Sequence, residues 1–180
     1  MHKYRPCISI ITGRKARITV MLMLLLALAA VPMSTFGATV TKLTIHVNKG
    51  IGAAVLGSGE AVAVKAIGSK PSKSGKDTEY EGRVVYYKMF GKPNKNGEYP
   101  LEVYSDTKRK VFMFAFNVSN YPTDAGIRVG STEAQLKKAY GKLLKSKPGR
   151  IYTHYWLGSK VGTDFFVKEG KVTQILVRSY

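Results

Sequence analysis

Cysteine is almost absent from this chain: Cys7 stands near the start, and residues 39–180 contain none. That excludes disulfides, thiolate nucleophiles and cysteine-based metal sites from the longer region, whose stability must come from a packed core. Cys7 has no box of small residues before it, so a lipoprotein anchor is not expected. Acidic residues are scarce, 11 Asp and Glu against 29 Lys and Arg, for a formal net charge of +18. Histidine is rarer still, and beyond residue 38 only His46 and His154 remain, far apart in sequence. HExxH, nucleophile-elbow and phosphate-loop patterns are missing, and Gly50-Ile51-Gly52 opens no GxGxxG motif. With so few convergent groups, no metal, cofactor or catalytic residue is expected.

Long apolar runs are lacking too. Ile18–Val31 is fourteen residues long, short of the roughly 20 that span a bilayer. Before it stand Lys3, Arg5, Arg14, Lys15 and Arg17, and after it Pro32 and the small-residue stretch Ser34–Ala38. A basic region, an apolar core and a small-residue segment make a secretory signal over residues 1–38, cut between Ser34 and Thr39. The expected location is secreted, or periplasmic and envelope-associated, with no transmembrane helix in the mature chain. Removing five cations leaves 24 against 11, or +13 for residues 39–180. Such a field concentrates polyanions around the molecule.

An internal repeat organises the remainder. Gly57–Gly68 aligns without gaps onto Gly130–Gly141, at an offset of 73 residues and with seven identical positions. Each copy reads as a short helix. Thr132 and Gln135 form a capping box, Leu136, Ala139 and Tyr140 form an apolar stripe, and Gly141 is a left-handed stop. In the first copy Gly59 is the cap, Ala63, Ala66 and Ile67 the stripe, and Gly68 the stop. Helices this short need a surface to lie on. The runs after each copy supply one: Val84–Phe90, Leu101–Ser105 and Val111–Phe116, then Ile151–Leu157, Thr163–Lys168 and Val172–Arg178, all rich in Val, Ile, Tyr and Phe. The polar stretches Ser69–Gly82 and Lys142–Arg150 read as loops, and Val40–Val47 and Val118–Tyr121 as extra strands. The fold class is α+β: two tandem repeats over residues 39–122 and 123–180, each a short helical segment packed on an antiparallel meander.

The segment Gly126-Ile127-Arg128-Val129-Gly130-Ser131-Thr132-Glu133, through Ala139-Tyr140-Gly141, resembles a motif of small exported bacterial domains. These are the family of the β-lactamase inhibitor proteins and the small outer-membrane assembly lipoproteins. The resemblance implies one or two units of a helical segment on an antiparallel sheet, and the inhibitor-type members present the sheet face to a partner enzyme. Two departures separate this chain from those members: it has no mature disulfide and no lipidated cysteine. No contact residue transfers, because the shared motif lies in the helix and its caps.

Tyr152, His154, Tyr155 and Trp156 put four rings in five residues of one strand, so rings must project from both faces. Tyr152, His154 and Trp156 are taken to face outward as a partner-binding surface, with Ile151, Thr153, Tyr155 and Leu157 inward. Lys142, Lys145, Lys147 and Arg150 are candidate polyanion contacts. Nucleic acid is not expected as a ligand, because no recognition module is present. The functional expectation is an exported, monomeric, non-enzymatic binding module of the envelope or extracellular space, engaging a partner protein or an anionic envelope polymer. The alternatives are a small envelope-polymer hydrolase and a structural surface-coating protein.

Overall fold

The computed structural model describes residues 43–180; the expected signal peptide and Cys7 lie outside the described residues. Ile45–His46 (β1), Gly50–Ile51 (β2) and Ala54–Val55 (β3) form a three-stranded antiparallel sheet. Helix Glu60–Ile67 (α1) follows, then Lys73–Tyr80 (β4), Arg83–Phe90 (β5), Leu101–Ser105 (β6) and Val111–Phe116 (β7). Helix Glu133–Tyr140 (α2) leads in turn to Lys145–Pro148 (β8), Thr153–Gly158 (β9), Val161–Lys168 (β10) and Lys171–Ser179 (β11). The last eight strands make one antiparallel sheet in the order β4-β5-β6-β7-β11-β10-β9-β8. The described chain is thus α+β, mostly antiparallel sheet with two short helices.

Both helices lie on one face. Ala63 and Ile67 of α1 and Leu136 of α2 share a core with Phe90, Val103, Phe114, Phe116, Phe165, Ile175 and Val177, and Ile45, Ile51 and Ala54 of the small sheet close it. Leu136 and Phe114 are fully buried, and burying such a side chain is worth about 1.5–3 kcal/mol. α2 begins as its sequence requires: the Thr132 hydroxyl accepts from the Gln135 amide at 3.2 Å, and the Gln135 side chain accepts from the Thr132 amide at 2.8 Å. Gly68 ends α1 in the left-handed region, at φ 74° and ψ 13°. Gly141 differs: its φ of 50° comes with ψ −129°, and the chain runs on into a 3₁₀ turn, Gly141–Leu143, instead of stopping.

Each helix is tied to the sheet by the same set of backbone bonds. Gly57 donates to the Val111 carbonyl at 2.7 Å, Val111 donates to Ser58 at 2.9 Å, and Glu60 donates to Arg109 at 2.9 Å. Gly130 donates to Val172 at 2.7 Å, Val172 to Ser131 at 2.8 Å, and Glu133 to Gly170 at 2.9 Å. The strand register shifts just beyond each tie, at Phe112 in β7 and Thr173 in β11. At the middle of the sheet β7 and β11 pair antiparallel, with Phe116 on Ile175, Ala115 on Leu176 and Phe114 on Val177.

Two polar stretches read as loops contain strands, β4 and β8. They are the sheet's outer edges, and every residue of β8 is exposed, so neither carries an apolar signature. Lysines and the terminal Pro148 suit an edge that must not recruit another chain. Of the extra strands expected, Val40–Val47 reduces to β1 within the described residues, and Val118–Tyr121 contains none.

Candidate binding face

The face of the large sheet opposite the helices is the candidate site. Strand alternation decides what it displays. Tyr155 and Leu157 of β9 enter the helix-side core, so His154 and Trp156 point the other way, with Tyr152 just before the strand. The apolar cluster on this opposite face consists of Val85, Tyr104 and Met113, with Tyr80, Tyr87, Met89, Phe112 and Leu176 against them. Every one of these residues belongs to the sheet; no described helix contributes.

Cross-strand register draws one row over this face from edge to edge: Lys145, Trp156, Asp164, Leu176, Ala115, Glu102, Met89, Lys73. Lysine stands at both ends, an acid third from each end, and two small or aliphatic residues at the centre. Neighbouring strands lie about 4.8 Å apart.

At one end His154 is the middle of a ring stack. Its centroid lies 5.0 Å from Trp156 at 26° and 5.0 Å from Phe166 at 9°, and Tyr152 meets Phe166 edge-on at 5.1 Å. Beside the stack, the fully buried Asp164 collects three partners. His154 Nε2 lies 2.6 Å from Oδ1, Tyr180 donates to Oδ1 at 2.8 Å, and Arg178 Nε donates to Oδ2 at 2.6 Å. Burial alone would raise the Asp164 carboxyl, but the His154 bond, the Arg178 charge and the Tyr180 hydroxyl together hold it below its ordinary value. Burial and the bond to the Asp164 charge push the Tyr180 phenol up to about 12. Tyr180 reaches Asp164 across Gly162, where an added Cβ would sit 2.6 Å from the tyrosine ring.

The acid at the other end of the row has different company. Glu102 accepts from the Tyr104 hydroxyl at 2.7 Å, from Asn117 Nδ2 at 3.2 Å and from the Tyr99 amide at 3.3 Å, and from no cation among the described residues. Burial dominates there and raises its pKa.

The sequence candidates are placed as follows. Tyr152, His154 and Trp156 are half-buried on the helix-free face, and Lys145 and Lys147 lie beside Trp156 and His154 in register. Lys142, in the 3₁₀ turn, and Arg150, in the β8–β9 turn, are exposed but outside this register. Among the described residues His46 bonds Asp124 at 2.9 Å, no group of three or more His, Cys, Asp and Glu is placed to hold a metal, and no helix is long and apolar enough to cross a membrane. Sequence reasoning missed Asp164, Phe166, Arg178 and Tyr180. An acid inside the apolar strand Val161–Lys168 was the available signal, since a charge there demands a partner.

No protein-family model matches the chain, and no curated protein does. Among solved structures it is similar to the uncharacterized protein YfeY from Escherichia coli, at 16% identity and a TM-score of 0.47, covering 77% of this chain and 99% of that one.

Proposed function

We propose that this chain is an exported, non-enzymatic binding module built of two tandem helix-plus-sheet repeats, which docks a partner protein on the helix-free face of its sheet. The repeat reading is supported by the matched helix-to-strand hydrogen bonds, the matched register shifts at Phe112 and Thr173, and a β7–β11 pairing symmetric about Ala115 and Leu176. The observation that carries the docking reading is the make-up of the face. Trp, Tyr, Met and Arg are the residues enriched at protein interfaces, and this face leaves Tyr87, Met89, Trp156 and Arg178 partly exposed over the buried Tyr104 and Met113, while its lysines stand at the margins. A partner with an acidic rim fits those margins. In the enzyme reading the Asp164–His154 pair would need a nucleophile, and among the described residues His154 bonds Asp164 alone.

Retention of the exported protein on cell envelopes, washed with NaCl up to about 1 M, tests the proposal. Apolar contact area is not screened, whereas charge attraction reaches only about 3 Å at that strength. Retention that survives salt and is lost with Trp156→Ala supports a docked protein. Salt-released retention indifferent to Trp156→Ala transfers the function to an anionic polymer.

A further inference from the structure

Arg178 is held in place by one of its nitrogens and leaves the others for something else. Its Nε donates to Asp164 Oδ2 at 2.6 Å, and its guanidinium carbon lies 4.6 Å from the centre of the Tyr180 ring. The side chain is only 14% exposed. A guanidinium carries five N–H donors in a fixed fork; Nε is the one spent on Asp164, and among the described residues the terminal nitrogens have only the Tyr180 hydroxyl beside them. They stand at the end of a side chain that keeps 14% of its surface exposed and is otherwise held by Asp164 and the Tyr180 ring. Asp164 is saturated by three partners and cannot turn to meet an incoming group.

We propose that the terminal nitrogens of Arg178 form a recognition site for a carboxylate, the side chain of a Glu or Asp on the docked partner. The site names the chemistry the partner must offer and in that respect rests on the docking reading. A planar fork matches a carboxylate in two parallel bonds. Pre-orientation by Asp164 and the Tyr180 ring reduces the side-chain freedom lost on binding. Trp156 stands opposite Asp164 in register, on the same face of the sheet as the fork. Lys145, opposite Trp156, adds attraction from one strand further out. At the other end of the row the described partners of Glu102 are neutral, Asn117 and Tyr104 among them, so that end presents no matching fork.

The test titrates the intact protein with glutarate, using glutaramide as the uncharged analogue and inorganic phosphate as a second oxyanion, all at one ionic strength. The reporters are the NMR signals of the Arg178 Nε–H and the Trp156 indole N–H. The expected result is a saturable shift of both with glutarate, and affinity about tenfold weaker or lower for glutaramide, which forfeits the charge-assisted bonds. Equal response to glutaramide, no saturable response, or saturation by phosphate alone overturns the proposal. Arg178→Lys keeps a cation on Asp164 but loses the fork, and should abolish the indole shift; an unchanged shift overturns the site. Should that variant not fold, the wild-type titration decides unaided. Glutarate binding in a protein without Trp156-dependent envelope retention upholds the site and refutes the docking. Docking without glutarate binding refutes the site alone.

Discussion

Replacing Asp164 by Asn removes one charge and almost no volume, and it strikes a carboxylate of the sheet that is fully buried and paired with a cation. Arg178 would be left 14% exposed without its counter-charge, and His154 and Tyr180 would lose their shared acceptor. Removing one partner of a buried ion pair costs about 3–5 kcal/mol. With a urea slope near 2 kcal/mol per M, the unfolding midpoint should fall by about 1.5–2.5 M. The sign with pH follows from the depressed carboxyl. The charged form is favoured in the folded state, so its contribution is present above the unfolded value of about 3.9 and is lost as pH falls toward the lower folded value. The gap between wild type and Asp164→Asn should accordingly be full at pH 7 and close in strong acid. The double variant Asp164→Leu, Arg178→Met should regain much of the loss, because an apolar pair of similar volume replaces the buried charges. A midpoint within about 0.5 M of wild type for Asp164→Asn, or a gap that does not change with pH, refutes the view that this carboxylate organises the cluster.

Glu102→Gln should behave in the opposite way, neutral or stabilising at pH 7, since burial already disfavours its charge and its partners are neutral; a large loss in urea unfolding would contradict this. Gly162→Ala should displace the Tyr180 ring, which an added Cβ would meet at 2.6 Å, and return the phenol from about 12 toward about 10, read by tyrosinate absorbance. In the wild type that raised phenol makes stability fall between those two pH values, because the unfolded tyrosine ionises first. Leu136→Ala empties a fully buried position and should cost about 2–5 kcal/mol, against about 1 kcal/mol for Thr132→Ala, which removes the cap alone; calorimetry of the two separates packing from capping.

The helices were legible because their signals are local. Thr132, Gln135 and the spacing of Leu136 and Tyr140 specify α2 within nine residues, and the aligned Gly57–Gly68 segment located α1. The inner strands were legible from their β-branched and aromatic content. Beta4 and β8 were not, because an edge strand made of Lys, Ser, Gly and Pro gains nothing from burial and looks like a loop until its neighbour is known. Alternation along β9 sorted Tyr155 and Leu157 from His154 and Trp156, but it could not say what lay across from them. Asp164 and Phe166 come from β10, Arg178 from β11, and Tyr180 lies just past β11. Their convergence depends on register between strands, which no single segment encodes.

The place of β11 in the sheet bears on how the molecule is made. Lys171–Ser179 follows every other strand in sequence, yet it lies between β7 and β10, where it joins the four strands of one side to the three of the other. During synthesis each meander can gather its neighbours as they emerge, but the joint between them stays open until residue 179 is out. Until then Phe114 and Phe116 have no strand beside them on that side, and their exposed edge is a surface for chaperones to hold. Long-range closure of this kind folds slowly, and it keeps the growing chain from completing the sheet before β11 has emerged.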